Sequence, residues 1–113
     1  MKRISIAALT FFSLIAAAQI IQTGLQVTVR DETGNTVSSA QVYLFKSQAD
    51  YEKEVNQVAM TMTDKKGIAS FKKLQPQAYY ILVRKGDKDN SGGGEQTEKL
   101  TSARLNKITV IIQ

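Results

Sequence analysis

From Leu25 onward the apolar residues recur at every second position, and that period constrains the fold more than any other feature of the chain. Leu25, Val27 and Val29 alternate with Gln26, Thr28 and Arg30. Ala40, Val42 and Leu44 alternate with Gln41, Tyr43 and Phe45, and Val58, Met60 and Met62 with Ala59, Thr61 and Thr63. Ile68 to Phe71 and Tyr79 to Val83 are further short runs, and Ile108, Val110 and Ile112 share one face of a last strand over about 107–112. Neighbours on a strand point to opposite faces, so this is the pattern of strands with one buried side. A helix would need a period of 3.6.

Turn chemistry separates these runs. Asp31 to Asn35 contains Gly34, Asp64-Lys65-Lys66-Gly67 reads as a tight hairpin, and Pro76 stands before Tyr79. Residues 97–105 can add a weak strand. Parallel βαβ units need long crossovers, for which the spacing leaves no room. The economical solution is all-β, a seven-stranded antiparallel Greek-key sandwich. One short helix is predicted over Gln48 to Glu54. Ser47 is a good N-cap, Asp50 falls in the first turn, and Tyr51 and Val55 lie four apart on one face.

The first residues read as a targeting segment rather than as part of this sheet. Lys2 and Arg3 precede an apolar stretch from Ile4 to Ala18 that closes on Ala16-Ala17-Ala18. Charge, apolar run and small residues in that order make a signal peptide over 1–18, leaving a domain of residues 19–113. An uncleaved anchor is the alternative, with Ile20 and Ile21 extending the run. Export implies a periplasmic or secreted product with no stable membrane insertion. The net charge of +5 falls to +3 once Lys2 and Arg3 leave, and the remaining charges are mixed in sign along the chain. That argues against nucleic acid as a partner.

Two stretches resemble a known family. Val29-x-Asp31-x-x-Gly34-x-x-Val37-x-x-Ala40-x-Val42-x-Leu44 is similar to the opening of carboxypeptidase regulatory-like domains. Thr63-Asp64-x-x-Gly67-x-x-x-Phe71-x-x-Leu74-x-Pro76-x-x-Tyr79 resembles their middle signature. The resemblance spans about residues 25–113 and implies a transthyretin-like (prealbumin-like) sandwich of the kind found in exported bacterial proteins. It brings no catalytic residues. The chain departs from the family at Thr36, where a Pro is usual, and at Ser39 and Gln77, where a Gly is usual.

The chain has no histidine and no cysteine. This removes Ser-His-Asp and Cys-His nucleophiles, thiolate chemistry, disulfides and the common zinc ligand sets. It also removes the histidines on which hydrolases of transthyretin-like fold depend. No Lys stands on the first strand to form an internal isopeptide bond; Arg30 is the basic residue there. The expectation is a non-enzymatic binding or structural module of the cell envelope that recognises a protein partner, a glycan or a small ligand.

Two places are candidates for recognition. Asp87, Asp89, Ser91 and Glu98 fall at positions 1, 3, 5 and 12 of a loop with Gly92 at position 6, the spacing of a Ca²⁺ loop. The flanks read as strands rather than helices, and the same residues suit a plain mobile loop. The other candidate is a sheet face. With Val42, Leu44, Ile81 and Val83 inward, Tyr43, Phe45, Tyr80 and Leu82 point outward, joined by Ile111. Tyr51 and Val55 of the short helix are expected to cover part of that patch, and the uncovered part to bind a partner.

Overall fold

The computed structural model describes residues 21–113. The expected signal peptide and its cleavage site lie outside these residues. Along the chain run β1 (Gly24–Asp31), β2 (Gln41–Phe45), α1 (Gln48–Lys53), β3 (Ala59–Met62), β4 (Ile68–Phe71), β5 (Tyr80–Lys85), β6 (Lys88–Asp89) and β7 (Leu105–Ile112). They form a three-stranded sheet in the order β4-β1-β7 and a four-stranded sheet in the order β3-β2-β5-β6. The inward residues of both sheets make one core. Leu25, Val27 and Val29 meet Val42, Leu44, Ile81 and Val83, with Val110 and Ile112 from β7, and all are essentially without solvent exposure. Removing such surface from water, at about 25 cal/mol per Å², is what holds the two sheets face to face.

The alternation therefore yields two packed sheets, but not a wholly antiparallel sandwich. β1 and β7 are parallel over their full length, from Gly24 opposite Leu105 to Asp31 opposite Ile112. A parallel pair needs a long crossover. Here the crossover is the rest of the domain: the chain leaves β1, builds the four-stranded sheet and β4, and returns to lie beside its own start. A parallel pair thus forms without a βαβ unit, because strands distant in sequence supply the connection.

Asp64–Gly67 is a corner rather than a hairpin within one sheet, because β3 and β4 belong to different sheets. Asp64 Oδ1 accepts from Lys66 N at 2.8 Å and Ile68 N at 3.1 Å. Gly67 has φ +79, and a Cβ there would come within 2.8 Å of the Thr36 Cβ, so only glycine fits the corner. Thr63 is buried beside it. Its hydroxyl accepts from Ala40 N at 2.9 Å and donates to Val37 O at 2.7 Å. With that hydroxyl satisfied, β3 turns its small residues inward and leaves Met60 and Met62 exposed. The apolar set of that strand is thus its outer face.

On the β6–β7 side the two sheets are joined by backbone. Asp89 and Gln113 exchange hydrogen bonds, and Ile111 N donates to Gly93 O at 2.9 Å. Residues 90–94 bulge out of the edge beside β5, and Asn90 fills the bulge. Asn90 is fully buried; its Oδ1 accepts from Val83 N, and its Nδ2 donates to Ile81 O and Gly94 O. One donor and two acceptors on the backbone fix which way the amide faces. Residues 97–105 form no strand. The chain there is held by Thr97, which bonds Tyr79, and by Asn106, which bonds Thr101, Arg104 and Gly24. Among the described residues every buried side-chain nitrogen and oxygen has a partner.

Candidate functional site

The outer face of the four-stranded sheet is built in rows, since strand pairing sets each residue beside its neighbours on the adjoining strands. Tyr43 lies opposite Met60 on one side and Leu82 on the other. Gln41 lies likewise between Met62 and Arg84, and Phe45 lies opposite Tyr80. The middle row is therefore an apolar stripe, Met60–Tyr43–Leu82, that crosses three strands.

Helix α1 covers one end of this face. Ser47 caps it, with Oγ accepting from Asp50 N at 3.1 Å, and Glu54 ends it in the left-handed region at φ 55. The helix thus ends one residue short of the predicted range. The Tyr51 ring stands edge-on to Phe45, centroids 6.0 Å apart at 76°, and tilted to Tyr80 at the same distance. The Tyr51 hydroxyl donates to Glu95 Oε1 at 2.5 Å, which ties the helix to the 90–95 bulge. Burial, together with the Glu95 carboxylate, pushes the Tyr51 phenol well up. The same hydrogen bond, with a second from Gly92 N, holds Glu95 below the usual carboxylate range. Glu54 and Arg84 form a two-pronged ion pair at 2.9 and 3.0 Å. That pair lowers the Glu54 carboxyl and raises the Arg84 guanidinium.

Of the four residues expected to form an outward patch, Phe45 (1% exposed) and Leu82 (8%) are buried, while Tyr43 and Tyr80 are half-buried. Tyr51 of the helix covers Phe45, as expected; Val55, offered for the same role, is 41% exposed. The exposed apolar residues of this face are Met60 and Met62, with Val58 beside them, each more than 40% exposed. Sequence reasoning missed them because alternation gives two faces and does not say which is inward. The sign was present in the opposite set: Ala59, Thr61 and Thr63 are small enough to pack where the sheets meet at the corner. A shallow basin of about 240 Å³, lined by Tyr43, Phe45, Glu54, Gln57, Leu82 and Arg84, joins the stripe to the helix.

The 87–98 segment does not converge on a centre. It runs antiparallel along β5, with Asp89 opposite Arg84, Gln96 opposite Tyr80, and Thr97 N bonded to Tyr79 O. At ~3.3 Å per residue, the stretch of chain from Tyr79 to Arg84 holds Asp89 and Glu98 on the order of 16 Å apart. Calcium oxygens must all lie about 2.3–2.6 Å from one ion. Asp87 is an exposed residue of the β5–β6 turn, and Asp89 Oδ1 accepts from Ser91 N at 3.0 Å, which keeps its carboxyl acidic. The expected ligand set of Asp87, Asp89, Ser91 and Glu98 is thus stretched along an edge by strand pairing. Among the described residues no group of three or more acids is placed to hold a metal ion.

Two larger hollows lie elsewhere. One of about 400 Å³ at the end of the sandwich sets Lys85 and Lys88 against Asp31 and Asp87, with Lys85 Nζ spent on Ser38 O. The other, about 530 Å³, opens beside Ile21, Phe71 and Leu105, where the described chain begins.

No family model matches the chain, and no curated protein does. Among solved structures it is similar to the Bacillus anthracis TIE protein, with a TM-score of 0.50 and 12% identity over 80% of this chain. The likeness is one of fold. The match spans 16% of that chain's length. Among the described residues of the sandwich no helix is long and apolar enough to cross a membrane.

Proposed function

We propose that this chain is an exported, non-enzymatic recognition module of the cell envelope, which takes a protein partner on the outer face of its four-stranded sheet. The stripe Met60–Tyr43–Leu82 carries the reading. It sets an exposed thioether and a half-buried aromatic ring in one row beside the Glu54–Arg84 pair, and an apolar centre with a charged rim is the composition of a protein interface. Methionine adapts to uneven partner surfaces, and a half-buried tyrosine supplies rigid contact area with a polar tip. A glycan or small ligand would use the same basin.

Further support comes from the sequence. Lys2, Arg3 and the apolar run to Ala18 suit export to the periplasm or beyond, and a chain without His or Cys lacks the usual nucleophile–base pairs. In the finer reading the sandwich is a transthyretin-like Greek key of the carboxypeptidase regulatory-like kind. Two features suit that reading. Ser39, where the family prefers Gly, sits at φ 58, and the Tyr79 hydroxyl accepts from Gln75 N at 2.9 Å, as in the tyrosine corner of Greek-key sandwiches.

The test is capture of the partner from the envelope fraction of the cells that make the protein, comparing wild type with Tyr43→Lys and, on the opposite sheet, Lys107→Glu. All three should melt within a few degrees of one another. Tyr43→Lys should lose the partner about tenfold or more, as expected for a residue at an interface centre, and Lys107→Glu should keep it. Equal capture by Tyr43→Lys would end the outer-face reading.

A further inference from the structure

The two sides of the sandwich differ. On one, β6 and the 90–94 bulge bond to the end of β7, so those edges are occupied. On the other, β3 ends the four-stranded sheet and nothing among the described residues pairs with its far side. The direction of its free groups follows from the ladder. Thr63 N donates to Ala40 O, and antiparallel pairing alternates. Ala59 and Thr61 therefore aim their N–H and C=O groups at β2, while Met60 and Met62 aim theirs at the open edge.

Natural sheets guard such edges with charge, proline or extreme shortness. β6 is two residues long, Lys and Asp, and β4 runs up to the Lys72-Lys73 pair. β3, four residues long, has neither charge nor proline on it. The stretch from Val55 to Thr63 holds no charged residue and no proline, in a chain that is 22% charged. Within it Val55, Val58, Met60 and Met62 are each more than 40% exposed.

We infer that β3 pairs antiparallel with β3 of a second copy of this chain, joining two four-stranded sheets into one of eight strands. Self-pairing about a twofold axis makes each residue meet its own stretch, so any like charges there would face each other and oppose it. None are present. The phase also fits: an axis through Thr61 sets Met60 opposite the partner's Met62 and Met62 opposite the partner's Met60. These are the residues whose backbone groups are free, and the arrangement supplies four backbone hydrogen bonds with all four thioethers on one face. The first charges beyond the stretch, Asp64 and Lys65, lie in the corner where the chain leaves this sheet, past the paired residues. The dimer uses the backbone edge of β3 and the outer-face reading uses side chains, with Met60 common to both; Tyr43→Lys, away from the edge, tests the outer-face reading by itself.

Sedimentation of the purified protein from micromolar to millimolar concentration tests the pairing. A rise toward twice the monomer mass is expected for wild type, because a four-residue edge is a small interface and dimerises weakly. Met60→Lys should stay monomeric over that range. Register is read with a double variant, Met60→Cys with Met62→Cys, in a chain that has no cysteine of its own. Hydrogen-bonded pairs hold Cα atoms about 5.5 Å apart, within reach of a disulfide. Mild oxidation should give a covalent dimer whose peptides link position 60 of one copy to position 62 of the other. Three results overturn the inference: wild type monomeric at every concentration, which leaves the edge to a strand of a different protein; a dimer that survives Met60→Lys; or crosslinks that join positions other than 60 and 62.

Discussion

Gly93 O accepts the Ile111 N–H at 2.9 Å, and a Cβ placed on Gly93 would come within 2.0 Å of Ile111 O. Glycine at this position is set by the closeness of two backbones, that of the bulge and that of β7. Gly93→Ala must push the bulge away from β7 and open the joined side of the sandwich. A loss of about 2–3 kcal/mol is expected, at the upper end for overpacking. Chemical denaturation measures it. Gly92→Ala is the comparison: a Cβ there meets nothing within 4 Å, although φ is +74. Gly92→Ala should cost only the strain of a left-handed residue, about 1 kcal/mol. If both variants lose the same amount, the close approach at Gly93 carries no energy.

Asn90 has three backbone partners and no solvent exposure. Asn90→Ala leaves the Val83 N–H and two carbonyls without that partner, a loss of about 2–4 kcal/mol. Asn90→Asp should be worse near neutral pH, since a buried carboxylate would face the carbonyls of Ile81 and Gly94. The order of melting temperatures, wild type above Asn90→Ala above Asn90→Asp, is the expected result. An Asn90→Asp variant as stable as wild type at pH 7 would show that the bulge is not organised by this amide.

The fastening of α1 depends on pH at both ends of the scale. Glu95 and Glu54 are held below their ordinary value of 4.5, the first chiefly by Tyr51 and the second by Arg84. Groups lowered in the native state add stability that is complete above the ordinary value and is lost as pH falls through the native one. Tyr51 is shifted upward from 10.0. Its contribution is complete below that value and is lost as pH rises through the native one. Thermal melts should therefore be level near neutrality and fall below pH 4.5. Tyr51→Phe should flatten the acid-side fall, because it removes the donor that lowers Glu95. Superimposable acid-side profiles for the two proteins would contradict this account.

Calcium should leave the protein unchanged. With Asp89 opposite Arg84, and Thr97, the neighbour of Glu98, bonded to Tyr79 at the far end of the same edge, titration with Ca²⁺ to millimolar concentration is expected to give no saturable heat and no rise in melting temperature. A saturable heat that Asp89→Asn abolishes would mean that the segment leaves the β5 edge to bind metal.

The two-sheet architecture, its core residues and the short helix with its Ser47 cap were legible in the sequence, because each follows from local physics. A period of two buries Leu25, Val27 and Val29 whatever else the chain does, and a serine before Asp50 caps a helix wherever it lies. Tertiary structure decided four things that local pattern cannot. It made β7 parallel to β1, since direction depends on the path between them. It turned Met60 and Met62 outward, since alternation defines two faces without ranking them and the burial of Thr63 at the corner settled the choice. It buried Phe45, one of the residues expected outside, because Tyr51 closes over it from a helix whose docking no spacing specifies. It drew the acids of the 87–98 segment out along β5, because strand pairing outweighed the loop geometry that their spacing implied. A sequence determines what each short stretch prefers; which stretches meet, and on which side, is decided only when the two sheets share one interior.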